Sequence, residues 1–158
     1  MTTEIRLLGP TDVETAQEVT AVLKTRSAAA PVDATYLERF LAGKRSVVLA
    51  ALDHGTPVGF LLAYVRDRID SERPMVLLYE IEVAPGHRRC GVGRALIEAL
   101  KDLSRDVGAV KLWAPTDRSN LAAVALYKAA GMVESAADDG VIFELASGDP
   151  EQRGLSSG

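Results

Sequence analysis

Three arginines and two glycines lie together in residues 88–94, where side chains and backbone both suit an anionic ligand. Hydrophobic patterns predict a strand before this segment, over residues 75–83, and a helix after it, over residues 95–103. Gly91 and Gly93 carry no side chain to keep a ligand away, and a helix start offers unpaired N–H groups and a positive dipole end. The segment therefore predicts a phosphate-binding loop, although Gly-x-Gly is also common in plain turns.

Two glutamates lie on one face of the predicted strand, because side chains alternate along a strand. Glu80 and Glu82 share this face, and Ile81 and Val83 share the other. A solvated strand face is the ordinary interpretation of two glutamates. The strand is predicted to be central and covered by helices, however, where carboxylates are costly unless they serve a function. Neighbouring like charges raise one of the two pKa values, which would improve that group as a general base.

The third set of candidates lies on a helix predicted over residues 119–127 and ended by Gly131. Asn120, Ala123 or Val124, and Tyr127 fall on one face of this helix. Ala123 is small enough for the arm of a ligand to lie beside it. A helical tyrosine usually contributes only packing area, so a functional interpretation of Tyr127 depends on the glycine loop upstream.

These candidates need a scaffold, and periodicity and turn residues predict an α+β fold in three layers. Strands are predicted over residues 4–8, 46–52, 58–65, 75–83, 110–114 and 141–145, and helices over residues 12–24, 33–43, 95–103 and 119–127. The expected architecture is a central, mixed but mostly antiparallel, twisted sheet of about six to seven strands flanked by about four helices. One domain is predicted over residues 1–146, followed by a disordered polar tail over residues 147–158.

The composition excludes several classes of protein. The chain has 158 residues, 47% of them apolar and 25% charged, which fits one globular domain. Its longest apolar run, residues 47–52, is too short to cross a bilayer, and no secretion signal opens the chain. A single cysteine fits a reducing cytoplasm. The net charge of −4 disfavours nucleic acid and suits a cationic substrate, and no cluster has metal-ligand spacing.

The pattern Arg88-x-x-Gly91-x-Gly93 resembles the pyrophosphate loop of the GCN5-related N-acetyltransferases (GNAT), Gln/Arg-x-x-Gly-x-Gly/Ala. Downstream, the family pattern Asn-x-x-Ala-x-x-x-Tyr-x-x-x-Gly-Phe is matched from Asn120 onward, with Met132 replacing the aromatic residue. The element order agrees as well, so the resemblance spans roughly residues 4–146. It implies acetyl-CoA as cofactor, bound by Ile81, Val83, Arg88, Arg89, Cys90, Gly91, Val92, Gly93, Arg94, Asn120, Ala123 and Tyr127.

Acetyl transfer requires catalytic groups, and the candidate residues can supply them. A protonated amine cannot attack a thioester, so a base is required near the acetyl group, and Glu80 is the first choice, as base or as the group that positions a water, with Glu82 as the second. Tyr127 is implied to donate a hydrogen bond to the sulfur of CoA and to protonate the departing thiolate. A phenol pKa of about 10 against a thiol pKa of about 8.5 makes full proton transfer uphill, so stabilisation by a hydrogen bond is the safer expectation.

Within the family, the sequences at residues 78–83, 87–89 and 123–127 resemble the small aminoglycoside 3-N-acetyltransferases. Glu80 stands where that group has aspartate, Cys90 replaces a glutamine, Glu82 replaces a small residue, and residues 117–120 differ from the expected acidic loop. The implied acceptor is an amine of an aminoglycoside, with the 3-amino group favoured. Carboxylates that could contact this polycation are Glu80, Glu82, Asp117, Asp138, Asp139 and Glu144.

Other interpretations remain open at this point. The acceptor could instead be a polyamine, a protein N-terminus or a lysine, and a non-catalytic domain that binds CoA or a partner protein is a further alternative. Glu80 and Tyr127 count against the non-catalytic interpretation, because a domain that only binds needs neither. Exposed strand edges often pair in such folds, which leaves a homodimer open.

Overall fold

The computed structural model describes residues 2–23 and 31–135. The elements in this part of the chain are β1 (Thr3–Leu7), α1 (Val13–Leu23), α2 (Ala34–Ala42), β2 (Ser46–Asp53), β3 (Thr56–Arg66), β4 (Met75–Val83), a 3-10 turn (Pro85–His87), α3 (Val92–Asp106), β5 (Lys111–Trp113) and α4 (Leu121–Ala129). No helix within these residues is long and apolar enough to span a membrane.

The five described strands form one sheet in the order β1-β2-β3-β4-β5. Adjacent strands from β1 to β4 are antiparallel, and β5 runs parallel to β4. The predicted α+β class, the mixed and mostly antiparallel sheet and the four helices are therefore confirmed. The described residues contain five strands, and the predicted count of six to seven is not confirmed. The strand predicted over residues 141–145 and the tail predicted over residues 147–158 lie outside the described residues.

Each face of the sheet has its own hydrophobic core. One core joins α1 and α2 to side chains of β2 and β3: Leu8, Ala16, Val19, Leu37, Leu41, Ala50, Leu52 and Phe60. The other core lies under α3 and includes side chains of β2, β3 and β4, namely Val47, Leu49, Ala51, Val58, Leu61, Ala63, Val65, Val76 and Leu78. Burial of apolar area on both faces fixes β3 and β4 in the middle of a three-layer fold.

α3 contacts its core through one face. Leu96, Ile97 and Leu100 recur at helical spacing and are fully buried. The helix begins at Val92, three residues before the predicted start, because Gly91 occupies the N-cap in the left-handed region. α4 packs beside α3 through Leu126 and Tyr127, which contact the same core.

Candidate functional site

The loop between β4 and α3 has the geometry of an anion site. Gly91 has a φ of +83°, a conformation that L side chains rarely adopt, and it caps α3. The first helical hydrogen bond runs from the Ala95 N–H to the Gly91 carbonyl. The amides of residues 92–94 therefore have no helical acceptor, and they lie at the positive end of the helix dipole.

The three arginines of this loop differ in the contacts they make. Arg88 donates a hydrogen bond from Nε to the Val83 carbonyl at 3.0 Å, which joins the loop to the end of β4. Arg89 and Arg94 are exposed, and Arg89 has a left-handed φ of +60°. All three arginines are exposed, and Arg88 differs from the other two in its hydrogen bond to the end of β4. The exposed Cys90 lies between them, with Sγ 3.4 Å from the Arg88 carbonyl.

A histidine anchors the same loop from the other side. His87 Nε2 lies 3.5 Å from Asp53 Oδ2, at the β2 end of the β2–β3 hairpin. Both side chains are mostly buried, with 30% of His87 and 22% of Asp53 exposed. The loop is therefore attached to β4 through Arg88 and to the β2–β3 hairpin through His87.

Gly93 is required for a different reason than Gly91. A Cβ at Gly93 would lie 3.0 Å from Leu126 Cδ2, whereas a Cβ at Gly91 would have no neighbour within 4 Å. Gly93 is buried and allows α3 and α4 to pack closely. Val92 is also buried in the core, so its side chain cannot contact a ligand and only its backbone amide is available.

β4 and β5 separate beyond Leu77. Their parallel ladder pairs Met75, Val76 and Leu77 of β4 with residues 111–113 and then ends, although β4 continues to Val83. The separation opens a cleft of about 360 Å³, lined by Tyr79, Glu80, Ile81, Glu82, Pro115, Thr116, Asn120, Ala123 and Tyr127. Among these lining residues two are acidic and none is basic.

The two faces of β4 present different chemistry in this cleft. Glu80 and Glu82 pair across the sheet with Leu62 and Phe60, which belong to or pack against the core of α1 and α2. Ile81 and Val83 pack against the core of α3. The predicted alternation is therefore correct, and both glutamates are half-buried.

α4 supplies the opposite side of the cleft. Asn120 is its N-cap, and its side-chain Oδ1 accepts a hydrogen bond from the Ala123 N–H at 3.2 Å. Tyr127 lies two turns further on and is half-buried, and this burial raises the pKa of its hydroxyl above the ordinary value of 10.0. The phenol therefore stays protonated at neutral pH and remains a hydrogen-bond donor.

The cleft brings together six predicted site residues: Glu80, Ile81, Glu82, Asn120, Ala123 and Tyr127. Asp117 is exposed and does not line the cleft; hydrogen bonds from the Ser119 hydroxyl and backbone N–H lower its pKa. Asp138, Asp139 and Glu144 lie outside the described residues. No group of three His, Cys, Asp or Glu side chains suited to a metal ion occurs within residues 2–23 and 31–135.

Sequence reasoning missed three lining residues. Pro115 and Thr116 follow β5, which is parallel to β4, so both strands lead to the same edge of the sheet. This rule could have placed the two residues at the site. Tyr79 precedes the glutamates in β4, but strict alternation puts its side chain on the face opposite Glu80. Only the structure shows that it lines the same cleft.

This combination of fold and site is found in a known class of protein. The sequence matches the model of the acetyltransferase (GNAT) family over residues 17–132. This match covers well over half of the chain, and the chain therefore belongs to the GNAT family. The resemblance inferred from the loop and α4 motifs is confirmed.

Individual relatives are similar to different extents. The [ribosomal protein bS18]-alanine N-acetyltransferase of Escherichia coli K12 is 43% identical over 58 residues, which are 37% of this chain and 39% of the relative. The match thus spans about two fifths of that relative's length. The solved structure of aminoglycoside acetyltransferase HMB0005, from an uncultured soil metagenomic sample, has 28% identity and a TM-score of 0.81, and the match covers 93% of this chain and 99% of that one.

The cofactor prediction is confirmed at the level of the family. Aminoglycoside N-acetyltransferase AAC(6')-Iy has been crystallised in complex with CoA. It matches this chain with 24% identity and a TM-score of 0.72 over 92% of this chain and 95% of that one, a likeness that concerns the fold. GNAT acetyltransferases use acetyl-CoA, and the open amides of residues 92–94 suit a diphosphate.

Proposed function

We propose that this protein is an acetyl-CoA-dependent N-acetyltransferase that transfers the acetyl group directly to an amine of an aminoglycoside. The observation that carries the proposal is the cleft, the gap that opens where β4 and β5 separate. Glu80 and Glu82 belong to the face covered by α1 and α2, whereas the anion loop and α4 belong to the face covered by α3. A donor bound on one face and an amine bound on the other would meet in this gap.

The residues of the cleft can serve separate steps of the acetyl transfer. Glu80, directly or through a water, takes a proton from the ammonium group of the acceptor, and the resulting amine forms a C–N bond with the thioester carbonyl carbon. The C–S bond then breaks, Tyr127 donates a hydrogen bond to the departing sulfur, and the second proton lost by the nitrogen passes to the thiolate through solvent. The raised pKa of Tyr127 favours this hydrogen bond over complete proton transfer. Positioning of the two reactants can supply up to roughly 7–11 kcal/mol, and a general base typically adds about 10²–10⁴ in rate.

The charge of the cleft supports a cationic acceptor. Its lining contains Glu80 and Glu82 and no basic residue among the described residues. An aminoglycoside carries several ammonium groups. One of the two adjacent carboxylates could therefore hold an ammonium group while the other removes a proton from it. The likeness to aminoglycoside acetyltransferase HMB0005 supports the same class of acceptor. We assign the 3-amino group as the acceptor on the resemblance at residues 78–83 and 87–89.

Acetylation of a protein N-terminus is the second candidate, and the local similarity to the bS18-alanine N-acetyltransferase favours it. Release of free thiol from acetyl-CoA distinguishes the two. We expect turnover with kanamycin or gentamicin and none with a peptide that begins with alanine; NMR of the product would identify the acetylated amine. Turnover of the peptide alone would replace the proposal with the second candidate. Binding of CoA without turnover of any amine, spermidine included, would indicate a non-catalytic domain.

A further inference from the structure

Tyr79 is placed by an irregularity in the sheet. Leu62 of β3 pairs with Glu80, and the next residue, Ala63, pairs with Leu78, so Tyr79 has no partner in the register. This arrangement is a β-bulge, a feature that re-aims a side chain and often lies beside active sites. As a result, Tyr79 and Glu80 line the same cleft although they are consecutive residues of one strand.

The ring of Tyr79 is held in place and remains open to solvent. Its centroid lies 5.7 Å from that of Tyr64, and the two rings are at 73°, an edge-to-face contact. The residue is nevertheless 63% exposed, which is unusual for a large aromatic residue in a central strand. A tyrosine has few rotatable bonds, and contact with Tyr64 restricts it further, so little entropy is lost when a ligand covers it.

We propose that Tyr79, supported by Tyr64, recognises the ring of a cyclic aminosugar and thereby selects aminoglycosides over linear polyamines. This inference rests on the proposed function, because it concerns the acceptor side of the same cleft. The flat apolar face of an aromatic ring packs against the apolar C–H face of a sugar ring and contributes buried area there. Glu80, the next residue in β4, contributes a carboxylate for the ammonium groups. A linear polyamine satisfies the carboxylate but offers no ring to cover Tyr79.

Two variants separate the ring from the hydroxyl. Tyr79→Leu keeps an apolar side chain and removes the ring, and Tyr79→Phe keeps the ring. Calorimetric titration of kanamycin into each protein should show a Kd about tenfold higher for Tyr79→Leu, and within twofold of the wild type for Tyr79→Phe. The Kd of spermidine should change less than twofold in both variants. The KM for acetyl-CoA should stay within twofold, which also verifies that the variants fold.

Five outcomes would overturn the inference. Unchanged kanamycin affinity in Tyr79→Leu would remove the ring from recognition, and an equal loss in Tyr79→Phe would assign recognition to the hydroxyl instead. An equal loss of spermidine affinity would mean that Tyr79 does not select cyclic acceptors. Failure of the wild-type protein to bind kanamycin at all would overturn the proposed acceptor class and this inference with it. Turnover of kanamycin by Tyr79→Leu with wild-type KM would overturn only the role of Tyr79.

Discussion

The two halves of the candidate site recognise their ligands in different ways. The loop at residues 88–94 presents backbone amides, and its geometry depends on the left-handed φ of Gly91. The β4 wall, residues 79–82, presents side chains, and their placement depends on a bulge and on the separation of β4 from β5. The loop binds the donor through main-chain amides, so its geometry can serve with any acceptor. The β4 wall binds the acceptor through side chains, so it can change with the acceptor.

Gly91→Val should have the largest effect, because a β-branched residue is strained at a φ of +83°. We expect the loss of measurable CoA binding in calorimetry. Gly86→Ala in the preceding 3-10 turn is the control, since a Cβ there meets nothing within 4 Å and its φ is not in the left-handed region, and it should bind as the wild type does. Equal affinity of Gly91→Val and the wild type would refute the role of the loop.

Glu80→Gln should lower kcat for kanamycin by about 10² or more, because the neutral amide cannot accept the proton of the ammonium group. The KM for acetyl-CoA should change less than twofold, since the donor is held by the loop. Glu82→Gln is the matched variant, and it should mainly raise the KM for kanamycin. If Glu82→Gln lost more kcat than Glu80→Gln, the two roles would have to be exchanged.

Tyr127→Phe should lower kcat about tenfold and leave the binding of CoA unchanged, because only the hydrogen bond to the departing sulfur is lost. Burial raises the pKa of Tyr127 above 10.0, so the wild-type hydroxyl remains a donor as the pH increases to that value. A pH profile of kcat should therefore show no decrease due to Tyr127 up to about pH 9, one unit below the ordinary value of 10.0. A decrease at lower pH that disappears in Tyr127→Phe would contradict the protonated state.

His87→Ala should have the smallest effect, about a threefold to fivefold increase in the KM for acetyl-CoA with kcat within twofold. The reason is that the contact of His87 with Asp53 restricts the loop without touching the reacting atoms. Asp53→Asn combined with His87→Ala should be no worse than His87→Ala alone, because both changes remove the same contact. An additive loss in the double variant would show that the two residues act separately.

The difference between loop and wall also explains what the sequence could predict. The loop could be predicted from the sequence because the spacing of Gly91 and Gly93 is a local pattern. The alternation of Glu80 with Ile81 could be predicted because side chains alternate along any strand. Even so, the structure shows that the two glycines have different roles, since Gly93 allows the close contact between α3 and α4. The bulge at Tyr79 and the separation of β4 from β5 depend on pairing between distant segments, which no local pattern encodes.

The close contact between Gly93 and Leu126 couples two positions during evolution of the sequence. A Cβ at position 93 would lie 3.0 Å from Leu126 Cδ2, so the Leu126 side chain would have to shift by a few tenths of an ångström to accommodate it. A library that varies position 93 alone should therefore return mainly glycine and alanine when variants are screened for thiol release from acetyl-CoA. Clones that carry Gly93→Ala should be more active when a smaller residue replaces Leu126.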